Sequence, residues 1–481
     1  MSEHESPQGE RGATRAGRPA LAPGGLSEER AEHGNAREEL AARVLELARS
    51  VAGPSAQAEV TVGSTVRGLT RFARSFVHQN VVDTTERIRL RVVVDGSWAA
   101  VSTDRADADS LLATVESAVA AARVRPPDTA FPGLAPPAPL ARTGNWDDAT
   151  ADATPDQRAA VVRDFVAAAG GLETAGYVES MRTESVYANT AGQSVAGRIT
   201  GAAADGIARV PGADGVARQG SVRLGDLGGA GLGRIAAAKA RAGASPVDLP
   251  PGDYEVVLEP ACVADILRFL LVHGFNGRPV GEGRSFVRLG EQQFDASLRI
   301  WDGPLDELST ALPYDTEGTP RQRLDLVVDG VSTAVAHDRR TAAGAGASST
   351  GHGVEGGERW GAVPDQPRVG TGDGGSSADL AARMRRGLLV SDFWYTRILD
   401  PRTVVITGLT RNGVWLVENG EIVAPVSTLR FTQSYPKALA PGAVLGIGSD
   451  PSPVPVRGPG ELVHTPSLHL AGWHITGGAA G

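Results

Sequence analysis

Apolar residues recur with a helical spacing at Leu40, Val44, Leu47 and Val51, and Gly53-Pro54 stops that helix. The pattern then changes to alternation. Residues 58–66 and 76–82 read as strands, and Ile88, Leu90, Val92 and Val94 alternate with polar residues as far as Asp95-Gly96. That dipeptide suits a two-residue hairpin turn, with residues 98–102 as the returning strand. Leu111, Leu112, Val115 and Val119 restore the helical period to about Arg123. Beyond a Pro-rich interval, Ala159, Val162, Phe165 and Val166 open a second unit with a helix. Short strands follow over residues 178–210, and a helix over residues 234–242 closes the unit.

A third unit starts with the apolar run of residues 254–258 and a strongly apolar helix over residues 261–273. Strands are expected at 297–301 and 323–328. A glycine-rich stretch over 342–375 reads as a long loop, which in a compact domain is usually functional or mobile. Residues 404–406, 414–417 and 422–426 then form a meander, with Asn412-Gly413 and Asn419-Gly420 as its turns. The resulting organisation is a flexible tail over 1–36, an α+β domain over 37–125, a Pro-rich linker over 126–146, a middle α+β region over 147–250 and a larger β-rich domain over 251–481. The fold class is α+β.

Composition narrows the function classes. Glu and Asp outnumber Lys and Arg by 56 to 47, which argues against a general nucleic-acid binder. The lone cysteine, Cys262, excludes an internal disulfide framework or a multi-cysteine metal site. No apolar run reaches the roughly 20 residues of a membrane helix. Residues 1–20 lack the apolar core of a secretory signal. A cytoplasmic protein with no membrane or nucleic-acid partner is expected.

The third unit carries Pro251-Gly252-x-Tyr254-x-Val256-Val257-Leu258-x-Pro260, then the apolar helix, then Tyr314-Asp315-x-Glu317-Gly318-x-Pro320. Later come Arg386-Gly387-Leu388-Leu389-Val390 and Trp415-Leu416-Val417-Glu418-Asn419-Gly420-Glu421-Ile422. In this order, together with Thr70-Arg71-Phe72-Ala73 and Gln79-Asn80, the motifs resemble the TldD/PmbA family, also called modulators of DNA gyrase. The resemblance spans roughly residues 40–475 and rests on the ensemble of motifs. It implies either of two subunit types. The TldD type is a zinc peptidase with His-Glu-x-x-x-His on the helix after the strand and a distant C-terminal cysteine ligand. The TldE/PmbA type shares the fold, lacks the metal site and pairs with the first in trimming small or unfolded peptides.

On the apolar helix the three motif positions are Arg268, Phe269 and His273. Arginine does not deprotonate in a protein and so offers no lone pair to zinc. Phenylalanine cannot take a proton from a metal-bound water. Cys262 lies upstream of the motif, not in the C-terminal position. The motif is therefore degenerate. The expectation is a TldE-like subunit with no catalytic residue, no metal ligand and no cofactor of its own. Zinc would reside in a TldD-like partner, the substrate would be a peptide or unfolded polypeptide, and a homodimer is possible for the chain alone. The alternative is a stand-alone enzyme or peptide-maturation factor with altered, non-zinc chemistry in the same pocket.

Other candidates have blander readings. Arg268 is placed to pair with Asp265 one turn back. Cys262, near a helix start, is a candidate nucleophile or a buried small hydrophobe. His464, His469 and His474 are spaced five apart, which gathers ligands neither on a strand nor on a helix. Asp315 and Glu317 read as a carboxylate pair or as turn-forming acids. Residues 349–353 resemble a phosphate loop but lack its Gly-Lys-Ser/Thr ending. Their glycines also suit main-chain binding of an extended peptide.

Overall fold

A computed structural model describes residues 23–142, 144–456 and 458–478. Most of the expected 1–36 tail lies outside the described residues. From Pro23 onwards the chain is already helical, so the first helix starts earlier than its apolar spacing suggests.

The N-terminal elements are α1 (Pro23–Ala52), β1 (Gln57–Ala73), β2 (Phe76–Val94), β3 (Ser97–Thr103), α2 (Ala108–Arg123), α3 (Asp148–Ala151), α4 (Pro155–Ala168), β4 (Glu173–Asn189), β5 (Ser194–Val210), β6 (Ala213–Ser221) and α5 (Gly229–Ala242). Their six strands form one antiparallel sheet in the order β3-β2-β1-β4-β5-β6. β1 pairs with β4 from Glu59↔Asn189 to Phe72↔Gly176, so the two units on either side of residues 126–146 share a sheet. Two strands expected from β2 are one, because its polar middle is paired on β1 and needs no buried face. Arg74 and Ser75, both at positive φ, make the tight β1–β2 turn.

One end of the sheet packs on α1 and α2 through Val60, Leu90, Val92, Val115 and Val119. The other end packs on α4 and α5 through Phe72, Phe165, Val178 and Ala236. α4 carries a full capping box, in which Thr154 and Gln157 satisfy each other's backbone donors behind Pro155.

The Pro-rich interval is not a free linker. Asp128 accepts from Trp98 Nε1 at 2.7 Å and pairs with Arg340. Arg339 donates to the carbonyls of Gly133 and Leu134, and Asn145 Nδ2 donates to Ser309 O at 2.8 Å. Proline removes backbone donors, so this coil meets its neighbours through carbonyls and side chains.

The C-terminal part adds β7 (Gly252–Leu258), α6 (Pro260–His273), α7 (Gly277–Gly281), β8 (Ile300–Asp302), β9 (Leu324–Val328), β10 (Val331–Ser332), α8 (Arg339–Ala345), α9 (Gly357–Trp360), β11 (Pro367–Val369) and α10 (Ser377–Ala381). It continues with β12 (Arg386–Asp400), β13 (Val405–Glu418), β14 (Glu421–Pro425), β15 (Leu429–Ser434), α11 (Tyr435–Ala438), β16 (Val444–Ile447), β17 (Ser452–Pro455), β18 (Leu462–Thr465) and β19 (Leu468–Gly478). One sheet runs β10-β9-β8-β11-β18-β17. The other runs β12-β7-β19-β15-β13-β14, with β16 on β19. The large shared core includes Val256, Leu258, Ile266, Leu270, Phe431 and Trp473.

Two expectations change here. Asn412-Gly413 does not turn the chain. β12 pairs Val390↔Val414 and then Asp392↔Arg411, so the dipeptide is a bulge inside the long strand β13. Asn419-Gly420, at φ 52° and 81°, is the hairpin turn expected of it. The stretch over 342–375 is also less of a loop than its glycines suggest, since it contains the end of α8, α9 and β11.

Candidate functional site

Pro260 starts α6 directly after the central strand β7, and eight side chains of the helix are buried. The motif positions lie on the helix's last two turns. Phe269 joins the core and meets Tyr435 edge-on at 6.0 Å between ring centres. Arg268 lays its guanidinium 4.7 Å from the centre of the Phe269 ring and pairs with Asp265 at 3.4 Å. The His273 ring stacks on the other side of this cluster, 6.2 Å from Phe269. Burial and the nearby Arg268 cation push the His273 pKa down, which favours neutral imidazole.

Asp265 is the buried anchor of the group. Its carboxylate accepts from Tyr435 Oη at 2.9 Å and from Thr396 Oγ1 at 2.9 Å, besides Arg268. Burial outweighs these donors and raises its pKa. Thr396 sits in a bulge of β12, between Trp394↔Leu409 and Arg397↔Thr407. Exposed Trp394 and Tyr395 immediately precede it, covered by Arg411 and Arg397 respectively at 4.4 Å.

These residues do not fit zinc. The first ligand position holds a cation, the base position a hydrocarbon ring, and the two stack on each other. No cluster of three or more His, Cys, Asp or Glu side chains suited to a metal occurs among the described residues. Cys262 is fully buried one turn into α6, with its thiol directed to Val390 O at 3.6 Å. Burial, followed by the Asp392, Glu259 and Asp265 carboxylates, pushes its pKa up, opposite to what a nucleophile needs.

The three spaced histidines separate. His464 is buried on β18 beside Arg368, and burial pushes its pKa down to about 3. His469 and His474 lie on β19 and bond Glu255 at 2.7 Å and Asp253 at 2.8 Å on β7.

Asp315 and Glu317 build a turn. Asp315 accepts backbone N–H bonds from Glu317, Thr319 and Gly353 at 2.8–2.9 Å, which ties the 349–353 segment to this turn. Glu317 accepts from the Arg339 amide at 2.8 Å. Burial and then the Asp315 charge push its pKa up to about 8. Gly318, at φ 75°, lies so close to the Tyr187 ring that a Cβ would sit 2.1 Å from it. Gln193 of the first sheet donates to the Gly318 carbonyl at 2.8 Å. The motif therefore fastens the C-terminal domain onto the N-terminal sheet.

Several polar groups gave no signal in the sequence. His352 and Asp302 are both fully buried and paired at 3.0 Å, and Asp302 also accepts from the Gln366 amide at 2.7 Å. Arg321 grips Asp365 with two bonds of 2.8 and 2.9 Å. Ser391 Oγ lies 2.6 Å from both Lys239 Nζ and Glu259 Oε2. That geometry resembles a serine–lysine dyad, but Glu259 lies against the same Lys239 nitrogen at 2.5 Å, so the lysine is engaged in an ion pair and not directed to the hydroxyl alone. Arg218 on β6, bidentate to Asp392 and bonded to Asp205, ties the first sheet to β12. Between the first sheet and residues 310–321 lies a cleft of about 630 Å³, lined by Arg67, Arg89, Thr183, Tyr314 and Arg321 among others.

Comparison with known proteins agrees with this architecture. Residues 251–477 match the PmbA/TldA metallopeptidase C-terminal domain, and residues 58–122 match the PmbA/TldA metallopeptidase domain 1. An uncharacterized protein of Methanocaldococcus jannaschii is 34% identical over 104 residues, 21% of this chain. That match spans only 25% of the relative's length. TldE from Thermococcus kodakarensis superposes with a TM-score of 0.81 at 16% identity, over 91% of this chain and 100% of its own. A Thermotoga maritima protein described as a modulator of a DNA gyrase gives 0.79 at 18% identity, over 91% and 100%. A Bacteroides thetaiotaomicron protein of the same description gives 0.76 at 19%, over 92% and 98%. At these identities the superpositions speak for the fold. With both domain models spanning more than half of it, the chain belongs to the PmbA/TldD family.

Proposed function

We propose that this chain is a non-catalytic, TldE-like subunit that pairs with a zinc-dependent TldD-like peptidase and takes part in processing small or unfolded peptides. The observation that carries this reading is the Arg268–Phe269 stack tied to Asp265. It occupies the helix positions where the peptidase subunits implied by the resemblance carry a ligand and a base. The buried Cys262 thiol and the engagement of Lys239 by Glu259 beside Ser391 support it further, because neither arrangement offers a ready alternative nucleophile. In this role the chain contributes a scaffold, and zinc chemistry is supplied by the partner.

The test is zinc content and peptide turnover of the chain purified alone without chelator, then of the chain mixed with a TldD-like subunit. Near-zero zinc and no turnover alone, with co-elution and turnover in the mixture, are the expected results. About one zinc per chain, or peptide cleavage by the isolated chain that is lost in His273→Ala, would overturn the reading.

A further inference from the structure

The cleft between the first sheet and residues 310–321 has a floor and a wall of different chemistry. On β1, Val60 and Val62 point into the core under α1 and α2, so the alternate residues Thr61, Gly63 and Thr65 face the cleft. Their partners across β2 are Arg89, Arg87 and Thr85, and β4 adds Ser185 and Thr183. The floor is thus built of small and hydroxyl-bearing side chains, with two guanidiniums along one side. The wall adds apolar surface at Ala311 and Leu312. A volume of about 630 Å³ is in the range that holds a small organic ligand or a short peptide.

Two hydroxyls of the wall are buried without a partner. Thr310 is 1% exposed and Tyr314 4%, both line the cleft, and neither Thr310 Oγ1 nor Tyr314 Oη has a hydrogen-bond partner. Ser185 lies near the Tyr314 hydroxyl without completing a bond. A buried hydroxyl left unpaired costs stability, and a ligand that supplies the missing partner removes that cost.

The charges of the cleft are unequally engaged. Arg321 holds Asp365 and Arg87 holds Glu355, each through two bonds, while Asp315 is taken up by backbone amides. Arg89 stands 3.6 Å from Glu355, beyond hydrogen-bond reach, with its side chain 15% exposed. Burial and then the Arg91 charge push its pKa down, and an incoming anion offsets the second of these. Arg67 is likewise 3.7 Å from Glu179.

We propose that this cleft binds the C-terminal carboxylate of a short peptide, with Arg89 as its cation and the Thr310 and Tyr314 hydroxyls as donors. A guanidinium flanked by neutral hydroxyls matches a carboxylate. Asp83, Asp315, Glu355 and Asp365 line the same cleft, so a doubly charged phosphate meets more repulsion there than a singly charged carboxylate. Ile199, Ala311 and Leu312 give the last side chain an apolar seat. Residues 83–87 are exposed, so the remainder of the peptide has a way out to solvent. Binding is read on this chain alone, without zinc, partner or turnover, so it stands or fails separately from the proposed subunit role.

The full-length chain is titrated by calorimetry with N-acetyl-Ala-Leu-Ala bearing a free carboxylate, then with its C-terminal amide. The acid is expected to bind at least about tenfold tighter than the amide. Inorganic phosphate at equal concentration should not displace it, and the amide of N-acetyl-Ala-Asp-Ala should bind no better than the other amide. Arg89→Gln should abolish the preference for the acid, and Arg89→Lys should restore part of it. Tyr314→Phe separates binding from folding. Losing an unpartnered hydroxyl should leave the melting temperature level or raise it, while the acid binds at least about threefold more weakly. No binding of the acid by wild type, equal binding of the amide, or an acid preference that survives Arg89→Gln overturns the inference. So does Tyr314→Phe with unchanged affinity. Displacement by phosphate overturns the choice of a carboxylate, and tight binding of the aspartate amide overturns the choice of a chain terminus.

Discussion

Two clusters of titratable side chains in the C-terminal domain differ in how they are sealed. On α6, Asp265 keeps three donors, yet its cation Arg268 remains 31% exposed and shares its charge with an aromatic face. Between β8 and the 349–366 segment, Asp302 and His352 are both at 0% exposure, and their partners Gln366 and Thr350 are themselves buried. The first arrangement lies where a peptidase of this family would do chemistry. The second lies in what reads as loose, glycine-rich chain. Burial and pairing, not motif position, decide which of them carries stability.

The sharpest way to break this comparison is Asp302→Ala. It leaves the His352 ring and the Gln366 amide without their acceptor in a fully buried site, and a cost of about 3–5 kcal/mol is expected. The urea midpoint, compared with wild type at constant denaturant slope, reads it. A loss under about 1 kcal/mol would mean that water reaches the pair and that the segment is as loose as its composition suggests.

The second prediction concerns Glu317. Its neighbours Asp315, Asp338 and Glu59 are all acidic, and burial pushes its folded pKa to about 8 from an ordinary 4.5. Between those values the folded chain holds a proton that the unfolded chain has lost. Stability from this group is therefore present at low pH and is lost as pH rises through about 8. Melting temperature should fall across that window in wild type, with a slope of at most about 1.4 kcal/mol per pH unit from this one group. In Glu317→Gln, which still accepts from the Arg339 amide, it should stay level. An equal slope in both proteins would assign the pH dependence elsewhere.

How much of this was legible follows from the range of each signal. Local signals held: the helical spacing in α2 and α6, the Asp95-Gly96 and Asn419-Gly420 turns, and the Arg268–Asp265 pair one helical turn apart. They held because each needs only neighbours within a few residues. Asn412-Gly413 misled because the same dipeptide that turns a hairpin also fits a bulge, and only the facing strand β12 decides between them. The fusion of two expected units into one sheet was invisible, since β1 and β4 pair across more than a hundred residues of intervening chain. The same holds for His352–Asp302, Arg321–Asp365 and Lys239–Glu259, whose partners are distant in sequence. At the candidate site, residue types alone were informative: an arginine and a phenylalanine fail as ligand and base in any geometry.

The smallest expected effect completes the contrast at α6. Arg268→Leu removes one partner of Asp265, but Tyr435 and Thr396 still donate to that carboxylate, and its raised pKa lets it take up a proton instead of staying charged. The lost cation–π contact and partly exposed ion pair together amount to about 1 kcal/mol. The leucine also keeps the apolar cover over Phe269. A urea midpoint close to wild type is therefore expected, in contrast to the large shift for Asp302→Ala. If Arg268→Leu were as costly, Asp265 would have to be an obligate anion, and α6 would hold a sealed pair as unforgiving as Asp302–His352. That result would erase the distinction between the two regions and would turn the Arg268 position into a structural requirement of the fold.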